Sequence, residues 1–181
     1  FYSSLQFKQI SGQCGLTLSN IGYCWAFSNA SDTSSQSGVS LSTTPIKQFT
    51  TPFSSMESRG RALYLLDSTN KLFVLGFGKK GDGTSYGNYS SPVAADPTYS
   101  YLQITASNSN GDTFCGITSS QKLRCWGKNT KGQMGIGTAI DNDNSTNVDS
   151  AESYTKVVGA ESVFCGLTTS NKIKCWGENL H

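Results

Sequence analysis

The sequence is poor in the residues on which most catalytic and zinc sites depend. It contains a single histidine, His181, and only 14% of its 181 residues are charged. A serine nucleophile needs a neighbouring base, and a zinc site needs histidines or closely spaced cysteine pairs, which this chain does not have. We therefore predict that the protein is not an enzyme.

Long apolar runs and concentrated positive charge are missing as well. No apolar run approaches the ~20 residues that a transmembrane helix requires. The formal net charge is +2, and Lys and Arg are scattered along the chain rather than clustered as in nucleic-acid-binding surfaces. We therefore expect no membrane span in this chain and no nucleic-acid partner.

Glycine and small polar residues are abundant. The chain has 19 Gly, many Ser, Thr and Asn, and a hydrophobic fraction of 36%, which is enough for a folded core. Short Val, Ile, Leu and Phe runs separated by such residues indicate many short strands joined by turns. The composition predicts an all-β protein.

A hairpin-like segment recurs about every 50 residues, which is the repeat length of propeller blades. The copies are Cys14–Trp25, Tyr64–Gly76, Phe114–Gly127 and Phe164–Gly177. Two further strands are expected to precede the hairpin of each repeat, a short one that lies near Pro45 and Pro92 in the second and third repeats and one that enters the hairpin, so each repeat has four strands. We predict a β-propeller array with blades at 1–44, 45–91, 92–146 and 147–181, the last of them incomplete.

The six cysteines all lie in these hairpins, and within each pair the separation is the same. In the one copy without cysteine, both positions change together, to Tyr64 and Val74, as expected if the two side chains are bonded to each other. A zinc site would have to borrow ligands across repeats. The predicted disulfides join Cys14 to Cys24, Cys115 to Cys125, and Cys165 to Cys175. Disulfides indicate an oxidising compartment, so we expect an extracellular, cell-surface or periplasmic protein.

Strand periodicity fixes the register of the hairpin. Pairing Cys165 with Cys175 also pairs Leu167 with Ile173, and period two places these four side chains on one face of the sheet. Trp176 lies on the other face. A single blade cannot cover both of its faces, so neighbouring blades must pack against them.

Three segments carry a family resemblance: Cys115–Thr118, Leu123–Asn129 and Gly132–Thr138. Together they resemble the repeat of the regulator of chromosome condensation family, and the cysteines resemble those of its extracytoplasmic members. The resemblance implies a propeller of four-stranded antiparallel blades that, when complete, closes as a ring of seven blades. This chain holds about three and a half such repeats. It is expected to be a fragment of a longer chain, a subunit completed by further copies, or a compact stack.

Residues 141–152 have the spacing of a calcium loop. The oxygen ligands would come from Asp141, Asp143, Ser145, Asn147, Asp149 and Glu152. Thr146 stands where such loops have glycine, and the flanks do not look helical, so a plain acidic loop is the alternative. Apart from possible calcium, we expect no cofactor.

Three sequons could accept N-linked glycans if the protein passes through a secretory pathway. They begin at Asn29, Asn88 and Asn144, all in expected loops between blades. In a chain so rich in Asn, Ser and Thr, chance accounts for a similar number.

The sequence favours a non-catalytic, secreted or cell-surface propeller module that binds a protein or glycan through its loops. One alternative is a self-assembling structural subunit of an extracellular filament or coat. A second is a guanine-nucleotide-exchange propeller like the nuclear member of the family, which requires a reducing compartment and conflicts with paired cysteines.

Overall fold

A computed structural model of the chain describes residues 5–12, 14–24, 46–49, 51–59, 62–107 and 113–178. This part of the chain contains strands and turns and no helix, which confirms the all-β prediction. The strands are β1 (Phe7–Ser11), β2 (Cys14–Thr17), β3 (Gly22–Cys24), β4 (Ile46–Phe49), β5 (Phe53–Arg59), β6 (Ala62–Asp67), β7 (Leu72–Gly78), β8 (Gly87–Ala95), β9 (Tyr101–Ala106), β10 (Thr113–Thr118), β11 (Leu123–Gly127), β12 (Asn142–Asn147), β13 (Tyr154–Ala160), β14 (Val163–Thr168) and β15 (Ile173–Gly177).

The strands form four antiparallel sheets, each of which follows the order of the chain. The first three sheets are β1–β4, β5–β8 and β9–β12, and the fourth consists of β13–β15. Such meanders, repeated along the chain, are the blades of a partial β-propeller.

The sheets end at β4, β8 and β12, and the expected blade limits at 44, 91 and 146 fall just before or inside these strands. The sequence analysis placed the strand near each proline at the start of the next blade. In the structure, that strand pairs with the third strand of its own sheet, as β4 does with β3 and β8 with β7. Pro92 therefore lies in an outermost strand, where a missing backbone donor is tolerated.

The hairpin register is the one that the spacing predicts. Cys165 lies opposite Cys175 and Leu167 opposite Ile173, and the third sheet repeats this arrangement. Each turn contains a residue with positive φ, at Asn20, Asn70, Gln121 and Asn171. Asparagine tolerates this conformation better than most residues, which explains its presence in three of the four turns.

Each core cluster lies at a seam, by which we mean the interface between consecutive sheets. We call the face that carries the cysteines, or Tyr64 and Val74, the hairpin face of its sheet. We call the other face of each sheet its opposite face. At all three seams the hairpin face of one sheet packs against the opposite face of the next sheet. The third seam is formed by Cys115, Ile117, Leu123 and Cys125 below and by Tyr154, Val157 and Phe164 above.

Two glycines allow the tryptophans of the repeat to pack closely on the preceding sheet. Gly81 has φ +78° and Gly135 has φ +70°. A Cβ atom at Gly81 would lie 3.1 Å from Trp126, and one at Gly135 would lie 2.5 Å from Trp176. Both positions therefore require glycine for conformation and for space.

Candidate functional site

The structure contains the three disulfides, in the pairs that the sequence predicts. The bonds in the first and third sheets are fully buried at seams. In the fourth sheet, Cys165 is half-buried and Cys175 is exposed. The same covalent element therefore lies in two different environments.

Tyr64 and Val74 replace a disulfide in the second sheet, where they lie opposite each other. The Tyr64 ring lies 4.5 Å from the Phe114 ring, centroid to centroid. Its hydroxyl donates to the Lys79 carbonyl at 2.5 Å and accepts from the Lys79 amide at 3.2 Å. Burial raises the pKa of Tyr64 well above its usual value. With both hydrogen-bonding roles satisfied, this tyrosine is a packing residue.

Side-chain amides tie the first strands of neighbouring sheets together. Gln9 donates to the Met56 carbonyl at 2.7 Å and accepts from the Met56 amide at 3.0 Å. Gln103 makes the same two bonds to Val157, at 2.8 and 3.0 Å. The sequence analysis missed these clamps, although both glutamines occupy the same position of the repeat.

The acidic segment contains a strand rather than a calcium loop. Asp143 lies on β12 and forms an ion pair with Lys79, which follows β7 in the second sheet. The Asp143 carbonyl accepts from the Gly83 amide at 3.1 Å, and the Ser145 amide donates to the Gly81 carbonyl at 2.8 Å. β12 is thus tied to the loop of the preceding sheet.

The remaining proposed calcium ligands have other partners. Asp141 accepts from the Asn129 amide at 2.7 Å. Arg124 donates to Ser145 Oγ at 3.0 Å and to Asn147 Oδ1 at 2.8 Å. Asp149 and Glu152 both pair with Lys174, at 2.9 Å each.

These contacts do not support the calcium site expected from the sequence. Alternate side chains of a strand point to opposite faces, so residues of β12 cannot converge on one ion as those of a loop can. The described part of the chain contains no group of three or more His, Cys, Asp or Glu residues that could hold a metal ion.

A surface groove runs between the second and third sheets and has a volume of about 390 Å³. Arg124 lines the groove, and its guanidinium lies 3.9 Å from the centre of the Tyr99 ring. Asp96 and Asp82 add acidic groups to the lining. The Asp96 carboxylate accepts from the Tyr101 hydroxyl, and burial is the main cause that raises the Tyr101 pKa.

A similar groove of about 400 Å³ lies between the third and fourth sheets. Lys174 occupies the position of Arg124 in the repeat. In the strand register, each lies opposite the glycine that follows the first cysteine of its hairpin. Hydrogen bonds to Asp149 and Glu152 raise the pKa of Lys174. Each groove therefore presents a cation beside carboxylates, one repeat apart.

The tryptophans act in packing rather than as an exposed platform. Trp126 is fully buried, and its indole N–H donates to the Lys79 carbonyl at 3.3 Å. Trp176 is half-buried and donates to the Gln133 carbonyl at 3.0 Å. Trp25 and His181 lie outside the described residues.

Two of the three sequon asparagines are described. Asn88 lies on β8 and Asn144 on β12, the outermost strands of their sheets, and both are exposed. The sequence analysis expected them in loops. Asn29 lies outside the described residues.

No part of the described chain forms a helix with the length and hydropathy needed to cross a membrane.

Comparison with known proteins adds one family match. Residues 104–133 match the family model for the regulator of chromosome condensation (RCC1) repeat. This part of the chain is therefore similar to an RCC1 repeat. The matched segment runs from the end of β9 through the disulfide hairpin of the third sheet to Gln133, the part of the chain that carries the resemblance in the sequence. No curated protein matches the chain.

Several solved structures share the fold at low sequence identity. Human WBSCR16 is 19% identical with a TM-score of 0.75, and the match covers 92% of this chain and 46% of that protein. Yeast RCC1 (Prp20), solved bound to Kap60, is 13% identical with a TM-score of 0.72, covering 98% and 45%. The CRINKLY WD40 ectodomain of the Arabidopsis thaliana receptor kinase ACR4 is 16% identical with a TM-score of 0.57, covering 97% and 54%.

The chain spans about half the length of these proteins. At such low identity the likeness establishes the fold alone.

Proposed function

We propose that the chain is a non-catalytic propeller module that binds another macromolecule, a protein or a glycan, through the grooves and loops at its seams. The carrying observation is the repetition of one polar groove at two successive seams, around Arg124 and Lys174. The apolar seams below them are filled by packed side chains, so binding must take place at the surface.

The Arg124 groove is organised in advance of binding. The guanidinium is fixed by Ser145 and Asn147 and rests on the Tyr99 ring. A side chain that is already held loses little conformational entropy when a partner binds. Arginine and tyrosine are also the residues most often responsible for binding energy at interfaces.

One protein of similar fold has been solved in complex with another protein. Yeast RCC1 was solved bound to Kap60. This supports a protein partner for the present chain without identifying it.

We also propose that the module acts in an oxidising compartment: outside the cell, at its surface or in a periplasm. Three disulfides support this location, because such bonds are rare in reducing compartments. The exposed positions of Asn88 and Asn144 are compatible with glycans in a eukaryotic secretory pathway. Intact mass before and after deglycosylation, together with non-reducing mapping of the cysteines, tests both points. Six free thiols would refute the location.

The binding proposal is tested by capture of partners on the immobilised chain. Wild type is compared with an Arg124→Gln, Lys174→Gln double variant and with a control, Lys8→Gln, Lys172→Gln, which removes the same charge from exposed lysines. We expect the double variant to lose at least about tenfold of the specific capture, equivalent to ~1.4 kcal/mol. Equal capture by all three proteins would refute a role for the grooves.

A further inference from the structure

One of the three sequons lies in the wall of a groove. Asn144 begins that sequon, is exposed on β12, and lines the groove beside Arg124. Asn88 begins the other described sequon and is also exposed on an outermost strand, but it lines neither this groove nor the one beside Lys174. The two asparagines therefore differ in what an attached glycan would meet.

The local backbone holds Asn144 at the edge of this groove. Asn144 and Asp82 form an antiparallel bridge between β12 and the β7–β8 loop, and Asp82 lines the groove too. The side chains of directly opposed residues lie on the same side of such a pair. A Cβ atom at Gly83 would lie only 2.8 Å from Asn144 Oδ1, so this glycine leaves the space beside the Asn144 amide. A sugar on this amide therefore starts next to the groove.

The groove offers hydrogen-bonding groups to a carbohydrate. Arg124 donates to Ser145 Oγ, to the Ser145 carbonyl and to Asn147 Oδ1, and a guanidinium has further N–H groups beyond these. The Asp82 carboxylate in the same lining accepts hydrogen bonds, which sugar hydroxyls can donate. A sugar chain attached to Asn144 meets these groups at an effective concentration in the millimolar range, so even weak contacts hold it there.

We propose that Asn144 carries an N-linked glycan whose first sugars occupy the groove beside Arg124 and shield it from partners. In the transfer, the Asn144 amide nitrogen bonds to C1 of an oligosaccharide carried on a lipid pyrophosphate. The C–O bond to the pyrophosphate breaks, the lipid pyrophosphate leaves, and the amide proton passes to a base of the transferase. The groove beside Lys174 has no asparagine in its lining and stays open. The effect on partners rests on the proposed groove function, whereas the position of the glycan does not.

The proposal is tested on the chain secreted from cultured eukaryotic cells. Peptide mapping after enzymatic deglycosylation, which converts a glycosylated asparagine to aspartate, is expected to show that Asn144 is occupied. Hydroxyl-radical footprinting then measures the solvent access of Tyr99, which lines the groove, with the half-buried Tyr23 of the first sheet as the internal reference. Tyr99 is expected to be labelled at least about twofold more slowly in wild type than in Asn144→Gln, the change produced when the effective concentration equals the Kd of the sugars for the groove.

Matched variants separate the glycan from the substitution. Thr146→Ser keeps the sequon and should label like wild type, whereas Thr146→Val removes it and should label like Asn144→Gln. Asn88→Gln removes the other described sequon and should leave the labelling of Tyr99 unchanged. An unmodified Asn144 in the secreted chain, or equal labelling of Tyr99 with and without its glycan, would overturn the proposal.

The footprint needs no partner, so its result is independent of the groove function. Failure of the groove function is seen as equal capture by the Arg124→Gln, Lys174→Gln variant and its parent, both made with Asn144→Gln so that no glycan interferes. Failure of the present proposal is seen as equal labelling of Tyr99. If both hold, Asn144→Gln alone captures more partner than the glycosylated chain.

Discussion

The third and fourth sheets carry the same hairpin in the same register, but only the third has another sheet packed over its hairpin face. Cys115, Leu123 and Cys125 are fully buried, whereas Ile173 and Cys175 are exposed. Nothing in the hairpins themselves accounts for this, since both consist of a Cys-Gly strand, a polar turn and a Cys-Trp-Gly strand. Burial is therefore determined by the neighbouring sheet, and the energetic value of a repeat position depends on its place in the array.

The largest effect is expected from shortening the apolar residue of each hairpin. Leu123→Ala leaves a cavity in the third seam and should lower the free energy of unfolding by about 2–5 kcal/mol. Ile173→Ala removes atoms that face water and should change it by less than ~0.5 kcal/mol. Urea denaturation of both variants gives the comparison. Equal losses would show that the two faces are covered alike.

The next largest effect is expected in the rate at which a reductant cleaves the disulfides. A buried bond is reached by a reductant only after local opening, whereas the Cys165–Cys175 bond is accessible in the folded state. With millimolar dithiothreitol we expect this bond to be reduced at least about tenfold faster than Cys115–Cys125. Timed alkylation followed by peptide mapping measures both rates in one sample. Simultaneous reduction would contradict the difference in exposure.

The smallest effect is expected at the ion pairs of the fourth sheet. The hydrogen bond from Lys174 is the main cause that lowers the pKa of Asp149 from its usual 3.8. A carboxylate with a lowered pKa stabilises the folded state above its unfolded pKa, and this contribution is lost as the pH falls through the folded value.

Acidification below about pH 4 should therefore lower the melting temperature of wild type more than that of Lys174→Met, by about 1–2 °C at most because the pair is exposed. Lys172→Met, which alters an exposed lysine of the turn, is the control. A pH dependence identical in all three proteins would exclude a contribution from the pair.

Local pattern was sufficient to predict the hairpins, because the period of a strand is two and the cysteines fix which residues lie opposite each other. It was not sufficient for features that depend on the next repeat. The strands near Pro45 and Pro92 were assigned to the following sheet, whereas they pair with the preceding hairpin. The sequence of a short strand does not show which of its two neighbours it will hydrogen-bond to. The spacing of the expected calcium ligands says nothing about whether residues 142–147 form a strand, as they do in the structure. The Gln9 and Gln103 clamps bind the backbone of the following sheet, which no pattern within one repeat reveals.

The pair Tyr64 and Val74 also has a consequence for how the protein matures. The seam between the second and third sheets contains no cysteine and includes Trp126 and Tyr101, so its packing does not depend on an oxidant. Newly made chains can bury this middle seam while every thiol is still reduced. We expect the two flanking seams, each containing a cysteine pair, to be locked afterwards, so that oxidation would complete the array outward from a centre that has already formed.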